Sequence, residues 1–340
     1  MPDITPGKIL VPSVLRNLNV ILDAITDRPS APCLGCVWGF GNVDPAATAT
    51  EFDLPCGWDF YAQQILGFSG IQLDYSEHGG GNAYDRVELG QPIVVAVDSY
   101  YLPYRPAWQR VHSARTLVVD RVSIDLGLAE IIDTWMPDYA GPVELADLDR
   151  ARSSLVPENI EREPLYAGVT LRQRWWTLAR VAAPLIRDRD GIVLALCGLA
   201  ADAIGIDTPA RIAAFRYAAV EALSRPIAIS RTARRAAALQ LRAEIGLRAY
   251  LRAFLDLAGD FLEDPLLTAE IRGWSRQLAE LASARDVLIK SLAFDRSEYA
   301  TLVDHALRSA ERRERRLSSF ISECYPKQQP RSTSAGASPC

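Results

Sequence analysis

The sequence predicts an α/β protein of the α+β type, with a small central sheet in the N-terminal half and an all-helical C-terminal half. Short apolar runs ended by Asp or Pro lie between residues 93 and 137, and they are typical of buried strands. Beyond about residue 165, apolar residues recur at helical spacing and alanine is abundant. We therefore predict a first domain over 1–155 and a helical domain over 165–323, with the boundary in the polar stretch 147–164.

The sequence of the N-terminal half predicts one helix and three strands. Leucines recur at helical spacing over residues 12–25, after a proline that suits a helix start. The continuous apolar run 93–97 is typical of a strand buried on both faces, and Asp98 ends it. Two further runs, 116–125 and 129–137, complete the predicted sheet.

The sequence pattern of the C-terminal half predicts a series of helices whose charged side chains face solvent. The predicted helices cover residues 172–189, 209–224, 232–262, 264–294 and 298–321. The charge run Glu-Arg-Arg-Glu-Arg-Arg-Leu within the last of them predicts a solvent-exposed face. The low-complexity tail 326–340 predicts disorder.

Composition excludes several classes of function. The chain has 37 Lys and Arg against 42 Asp and Glu, so its net charge of −5 argues against a nucleic-acid-binding protein. No apolar run approaches the roughly 18–20 residues of a membrane span, and the first residues lack the pattern of a signal peptide. Six scattered cysteines predict reduced thiols, and together these features predict a cytoplasmic protein.

Three residues could form a nucleophile, a base and an orienting carboxylate. His112 precedes one apolar strand and Asp133 ends the next, so an antiparallel hairpin could bring the two together. Ser13 stands at the start of the first helix, where free backbone amides stabilise developing negative charge. The alternatives are a helix-capping role for Ser13 and a surface or packing role for His112.

Cys33 and Cys36 have the CxxC spacing of some metal and redox sites. A zinc site needs about four ligands, and the sequence offers no second pair at a suitable distance. We therefore predict no metal site, and one of these two thiols remains an alternative reactive group in the pocket.

The runs IVVAVDSYYLPYRPAWQRVHSARTLVV and IIDTWMP resemble the N-terminal domain of the butirosin biosynthesis protein H family. The most specific piece is the segment from Val97 to Tyr104, and the helix 13–25 precedes it in the expected order. The resemblance implies a papain-like acyltransferase frame with a helical C-terminal domain. The family member that gives the name moves an acyl chain from an acyl-carrier-protein thioester to an aminoglycoside amine.

Two of the three catalytic positions that the resemblance implies are altered. The family has a nucleophilic cysteine at the start of the first helix, where this chain has Ser13. The family's His-x-x-His pair reads here from His112 to Arg115, with arginine at the second position. Asp133 stands where its counterpart is expected.

The resemblance implies an acyltransferase acting on a carrier-bound acyl or aminoacyl thioester in antibiotic or other specialised-metabolite biosynthesis, which transfers the acyl group to an amine or hydroxyl or closes a ring. The partners would be an acyl carrier protein or peptidyl carrier domain and a small acceptor. The only prosthetic group would be the phosphopantetheine carried with the substrate, and a homodimer is compatible with the large helical domain. The candidate site residues are Ser13 as nucleophile, His112 as base, Asp133 as orienter, Asp98 and Tyr100 as pocket supports, Arg115 as a donor contact through its planar guanidinium, and Cys33 and Cys36.

Three alternatives to this covalent mechanism remain open. The first is direct transfer, in which the site only orients donor and acceptor. The second is a non-catalytic binding protein on an altered acyltransferase frame. The third is hydrolysis of a thioester or peptide.

Overall fold

The computed structural model describes residues 12–26, 31–35, 57–77, 83–157, 165–183 and 188–325, together with four single residues, Trp38, Phe52, Leu54 and Glu163. These ranges form an α+β fold, as predicted. The strands are β1 (Ile71–Ser76), β2 (Ile93–Asp98), β3 (Ala114–Ser123), β4 (Leu128–Asp133), β5 (Tyr139–Glu144) and β6 (Trp175–Arg180). The helices are α1 (Ser13–Ile25), α2 (Ala31–Leu34), α3 (Trp58–Ser69), α4 (Ala83–Glu88), α5 (Leu145–Ser153), α6 (Arg189–Gly205), α7 (Thr208–Ser224), α8 (Ile227–Leu262), α9 (Pro265–Lys290) and α10 (Glu298–Cys324).

The six strands form one antiparallel sheet in the order β1-β6-β2-β3-β4-β5. The three predicted runs are confirmed as β2, β3 and β4. Strand β2 is buried along its whole length, as its continuous apolar sequence requires. It pairs with β3 so that Asp98 lies opposite Ala114, which brings the end of β2 to the start of β3.

The helix predicted over 172–189 is wrong, because residues 175–180 form strand β6 between β1 and β2. Two adjacent tryptophans and a threonine favour a pleated surface over a helix. Trp176 and Leu178 point to the larger core, and Thr177 donates a hydrogen bond to the carbonyl of Pro92 at 2.7 Å. The sheet therefore includes a strand from the part of the chain that the sequence assigns to the helical domain.

Two apolar cores cover the two faces of the sheet. The larger core joins α1 and the C-terminal helices to one face, and its members include Leu15, Leu18, Val94, Ala96, Val118, Trp176, Leu251 and Phe254. The smaller core packs α4 and α5 on the other face, with Val95, Val97, Leu117, Ile131, Leu148 and Ala151. Burial of these apolar side chains supplies the main stabilisation of the fold.

The C-terminal helices follow the sequence pattern closely. The predicted helices 209–224, 232–262, 264–294 and 298–321 are confirmed as α7, α8, α9 and α10. Asp188, Asp207 and Asp264 cap α6, α7 and α9, each accepting a hydrogen bond from a backbone amide of the first turn. The tail 326–340 lies outside the described residues.

Within the described ranges, no helix taken singly has both the length and the apolar character to cross a membrane. The bent pair formed by α6 and α7, with an angle of 46° between the two helices, meets that test of length and composition together.

Glu314 contradicts the expectation that the whole charge run of α10 faces solvent. Its side chain is buried, and Oε2 accepts hydrogen bonds from the indoles of Trp38 at 2.7 Å and Trp274 at 3.0 Å. Oε1 accepts from Arg248 Nε at 2.8 Å and from Gln277 Nε2 at 3.3 Å. One carboxylate thus ties α8, α9 and α10 together, because four buried donors converge on it.

We expect the Glu314→Gln variant to lose stability. An amide presents only one acceptor oxygen, so each buried donor that it leaves unpaired should cost about 1–3 kcal/mol in the free energy of unfolding. Urea unfolding checks this, with Glu311→Gln as the matched control, because Glu311 pairs with the exposed Arg315 one helical turn away. Equal losses in the two variants would contradict a scaffolding role for Glu314.

Candidate functional site

Ser13 joins the start of α1 to strand β3. The helix begins at Ser13, and Pro12 occupies the capping position, so a capping role for Ser13 is wrong. The Ser13 side chain is buried, and its Oγ accepts a hydrogen bond from the backbone amide of Thr116 at 3.1 Å. The hydroxyl therefore satisfies a buried backbone donor of the sheet.

A polar cluster that the sequence did not predict extends this contact along α1. Asn17 Nδ2 donates to Thr116 Oγ1 at 2.9 Å, and Thr134 Oγ1 donates to Asn17 Oδ1 at 3.0 Å. These bonds fix α1 to the end of β4 as well as to β3. Their signal in the sequence was the asparagine within the apolar stripe of the first helix.

His112 pairs with Asp98. His112 Nδ1 lies 2.6 Å from Asp98 Oδ2, and the imidazole stacks on the ring of Tyr100 at 4.0 Å between centroids. The His112 side chain is 24% exposed, whereas that of Asp98 is fully buried. A neutral imidazole that donates from Nδ1 to a carboxylate keeps Nε2 as its acceptor, which is the form a general base needs.

The Asp98 carboxylate is held in place by three further donors. Its Oδ1 accepts from the amides of Tyr100 at 3.1 Å and Ser113 at 3.0 Å. Its Oδ2 also accepts from Ser154 Oγ at 2.6 Å. The buried charge is therefore well compensated, and it fixes the orientation of the His112 ring. Asp98 and Tyr100, which the sequence predicted as pocket residues, both contact the His112 ring.

Asp133 belongs to a different cluster, so the expected contact between His112 and Asp133 is wrong. Strands β3 and β4 do pair, but Val118 lies opposite Ile132, which places Asp133 near residue 117. The Asp133 carboxylate instead forms an ion pair with Arg105 and accepts the hydroxyl of Tyr104 at 2.9 Å. Burial and the neighbouring Asp133 raise the pKa of Tyr104, so this hydroxyl stays protonated and donates.

Arg115 lies over aromatic rings. Its guanidinium carbon is 4.5 Å from the ring centroid of Trp135 and 5.4 Å from that of Tyr166. Arg242 of α8, which sequence reasoning missed, lies over the same two rings at 5.5 Å and 4.8 Å. Burial lowers the pKa of Arg115, because desolvation disfavours its charged form.

The structure gives Cys33 a packing environment. Cys33 is buried in α2, and its carbonyl accepts a hydrogen bond from Ser69 Oγ at 3.2 Å. Cys36 lies outside the described residues. Within the described ranges, no group of three or more His, Cys, Asp or Glu side chains is placed to hold a metal ion.

A cleft of about 410 Å³ opens between α1, the paired strands β4 and β5, and α8. It is lined by Arg16, Asn19, Asp133, Thr134, Tyr139 and Tyr250, among others. Of the predicted site residues, Asp133 reaches this cleft. Tyr250, which lines this cleft, also donates a hydrogen bond to the carbonyl of Leu15 at 3.2 Å, which ties α8 to α1.

Comparison with models of known protein families finds none that matches this chain, and comparison with curated proteins finds no significant match. The function is therefore inferred from the geometry of the described side chains.

We expect the Ser13→Ala variant to be less stable than the wild type by about 1–3 kcal/mol, since the buried Thr116 amide would lose its acceptor. Urea unfolding measures this loss. Ser224→Ala is the matched control, because that exposed hydroxyl bonds only locally to the carbonyl of Val220 and should change stability by less than about 0.5 kcal/mol. An unchanged unfolding midpoint for Ser13→Ala would show that the hydroxyl is structurally dispensable.

Proposed function

We propose that this protein is an acyltransferase on a papain-like frame that passes an acyl or aminoacyl group from a carrier-bound thioester directly to a small acceptor. The acceptor group would be an amine or a hydroxyl. The observation that carries this proposal is the bond between His112 and the buried Asp98, which forms a base with its orienting carboxylate. The packing of α1 against the central strands of an antiparallel sheet supports the papain-like frame.

In the proposed step, the acceptor is activated by His112. Nε2 takes the proton of the amine or hydroxyl while that nitrogen or oxygen attacks the thioester carbonyl carbon. The tetrahedral intermediate then collapses, and the carbon–sulfur bond breaks with its electron pair on sulfur. The proton held by His112 passes to the departing thiolate, which restores the neutral imidazole.

Direct transfer is favoured over a covalent intermediate on Ser13. The Ser13 hydroxyl lies at the Thr116 amide, whereas His112 lies against Asp98. His112 precedes β3, whereas Thr116 lies within it, and four residues of chain span at most about 13 Å between their Cα atoms. A serine needs a base within hydrogen-bond reach to become a nucleophile, and the hydrogen-bond partner of His112 is Asp98, so in this proposal His112 acts on an incoming acceptor instead.

The donor in this proposal is a phosphopantetheine thioester on an acyl or peptidyl carrier, and Arg115 is its contact. The planar guanidinium suits an oxyanion, and its aromatic neighbours hold it in a fixed plane. When the thioester donor and the acceptor are both held in place, proximity alone supplies a large part of the rate acceleration for a reactive thioester.

A second candidate function is a binding protein on an altered acyltransferase frame. It is favoured by Arg115, which stands where the family resemblance implies a catalytic histidine and is partly buried between Trp135 and Tyr166. Hydrolysis is a third candidate, in which water replaces the acceptor at the same base.

We expect the His112→Gln variant to lose about 10²- to 10⁴-fold in the rate of acyl transfer, because the general base is removed. The assay incubates the full chain with a panel of carrier-bound thioesters and amines, and mass spectrometry follows both product and intact protein. His305→Gln is the matched control, since this exposed histidine lies on α10. Ser13→Ala should retain transfer once its folded fraction is accounted for.

The same assay separates the alternatives. Turnover of His112→Gln equal to the wild type would refute the proposed base. An acyl adduct that appears on the wild type and is lost only in Ser13→Ala would replace direct transfer by the covalent route. Binding of the thioester without any product would favour the binding protein, and free acid without amide or ester would favour hydrolysis.

A further inference from the structure

Another cavity lies beside the pair formed by His112 and Asp98. Its volume is about 390 Å³, which is within the range of small-molecule sites. It opens between the end of α5, with the residues that follow, and the segment before β6. We call it the arginine–serine pocket after its lining, which includes Arg152, Ser153, Ser154, Thr170, Arg172 and Gln173.

The lining of the arginine–serine pocket carries positive charge and no carboxylate among the described residues. Arg152 and Arg172 contribute the two charges, and the other lining side chains are hydroxyls, an amide and a leucine. Within the described ranges, neither arginine forms an ion pair with an Asp or a Glu. An anion that enters this pocket would therefore be attracted by both guanidiniums.

Arg152 is held in place while part of its hydrogen-bonding capacity stays unused. The residue is 8% exposed, and its guanidinium carbon lies 4.9 Å from the ring centroid of Tyr84. Burial raises the pKa of Tyr84 to about 12, so its hydroxyl is neutral, and it donates to Asp149 at 2.8 Å. Among the described residues, the buried Arg152 Nε has no hydrogen-bond partner. A buried donor without an acceptor is costly, so this lining favours a ligand that accepts hydrogen bonds.

Two hydrogen bonds hold the walls of the pocket together. The Gly168 amide donates to the carbonyl of Val156 at 2.9 Å, and Gln173 Nε2 donates to Ser153 Oγ at 3.4 Å. Arg172 and Gln173 also share a left-handed backbone, with φ of 53° and 52°, which residues other than glycine rarely adopt. The pocket is therefore formed before a ligand arrives, so little ordering opposes binding.

We propose that the arginine–serine pocket binds a small soluble oxyanion, either a carboxylate or a phosphate ester. Guanidinium forks recognise both groups through paired N–H donors. Arg172 is exposed and Arg152 is buried, so the two place positive charge both at the surface and inside the pocket. The hydroxyl of Thr170 suits the remaining polar groups of such a metabolite. This inference goes beyond the proposed acyl transfer and does not depend on it.

Ser154 joins the pocket to the proposed base. It lines the pocket, and its Oγ donates to Asp98 Oδ2 at 2.6 Å. The same carboxylate oxygen lies 2.6 Å from His112 Nδ1. An anion in the pocket should therefore change the environment of the His112 imidazole, two contacts away.

Isothermal titration of the full chain tests the pocket. The probes are citrate and inorganic phosphate, with glucose as a neutral polar control, all at one ionic strength. We expect the wild type to bind at least one of the two anions and not glucose. Arg152→Gln and Arg172→Gln should each weaken this binding by about 10- to 100-fold. Binding of citrate alone would identify a carboxylate ligand, and binding of phosphate alone a phosphate ester.

Arg121→Gln is the matched control, because this exposed arginine of β3 lies outside the pocket lining and its loss removes the same charge. Its Kd should equal that of the wild type. Equal weakening in Arg121→Gln and Arg172→Gln would show attraction by net charge alone and overturn the proposal. Failure of the wild type to bind either anion would also overturn it.

Arg172 keeps the proposal testable even where loss of the buried Arg152 unfolds the protein. Since Arg172 is exposed, Arg172→Gln should have the Tm of the wild type without ligand. We expect the anion to raise the Tm of the wild type and to lose this effect in Arg172→Gln. Arg172→Lys keeps the charge without the planar fork and should bind more weakly than the wild type. Wild-type affinity in both Arg172 variants would refute the site.

Histidine NMR locates the bound anion. The chain has three histidines, and the His112→Gln variant assigns the His112 signal. We expect the anion to move the imidazole signal of His112, through Ser154 and Asp98, and to leave that of the exposed His305 on α10 in place. An unmoved His112 signal in a titration that shows binding would place the anion elsewhere and overturn the proposal.

The outcomes for the two proposals are distinct. Anion binding that depends on Arg152 and Arg172, in a protein that transfers no acyl group, would sustain the arginine–serine pocket and refute the acyltransferase. Acyl transfer that depends on His112, in a protein that binds neither citrate nor phosphate, would do the reverse.

Discussion

Strand β2 imposes the main constraint on this fold, because it is buried on both faces and must be covered twice. The helices α1 and α8 belong to the core on one side, and α4 and α5 to the core on the other. Asp98 ends this strand inside the protein, and a buried carboxylate is tolerated only with matched donors. The donors come from the turn after β2, from the residues before β3 and from the end of α5. His112 is oriented as one consequence of that requirement.

The buried carboxylate at the end of β4 also needs matched donors, and it finds them in different residues. Asp133 is buried and takes Arg105 and Tyr104, so the segment after β4 is held rigidly and Trp135 is positioned beside Arg115. Two strand ends thus organise two polar centres, one able to accept a proton and one rich in cations. Separate centres suit a reaction in which an anionic donor is held by one and an acceptor is activated by the other.

The sequence was sufficient to predict strands and helices where the local pattern of apolar residues decides the structure. Continuous apolar runs identified β2, β3 and β4, and helical periodicity identified α7 to α10. The sequence prediction failed at residues 175–180, because the helical pattern of the residues after 165 was given more weight than the strand preference of two tryptophans and a threonine. The proximity of His112 to Asp133 depended on hairpin register, which a single sequence does not fix. Glu314 and Arg242 were missed because a charged residue in a helix is usually exposed.

Helix α8 shows that its buried arginines have different roles. Arg234 donates to the carbonyl of Ser291 and to Asp295, and Arg248 pairs with Glu244 and Glu314, so both link helices through well-matched acceptors. Arg242, between them on the same helix, lies over the rings of Trp135 and Tyr166, so α8 also packs against the segment after β4 and the segment before β6.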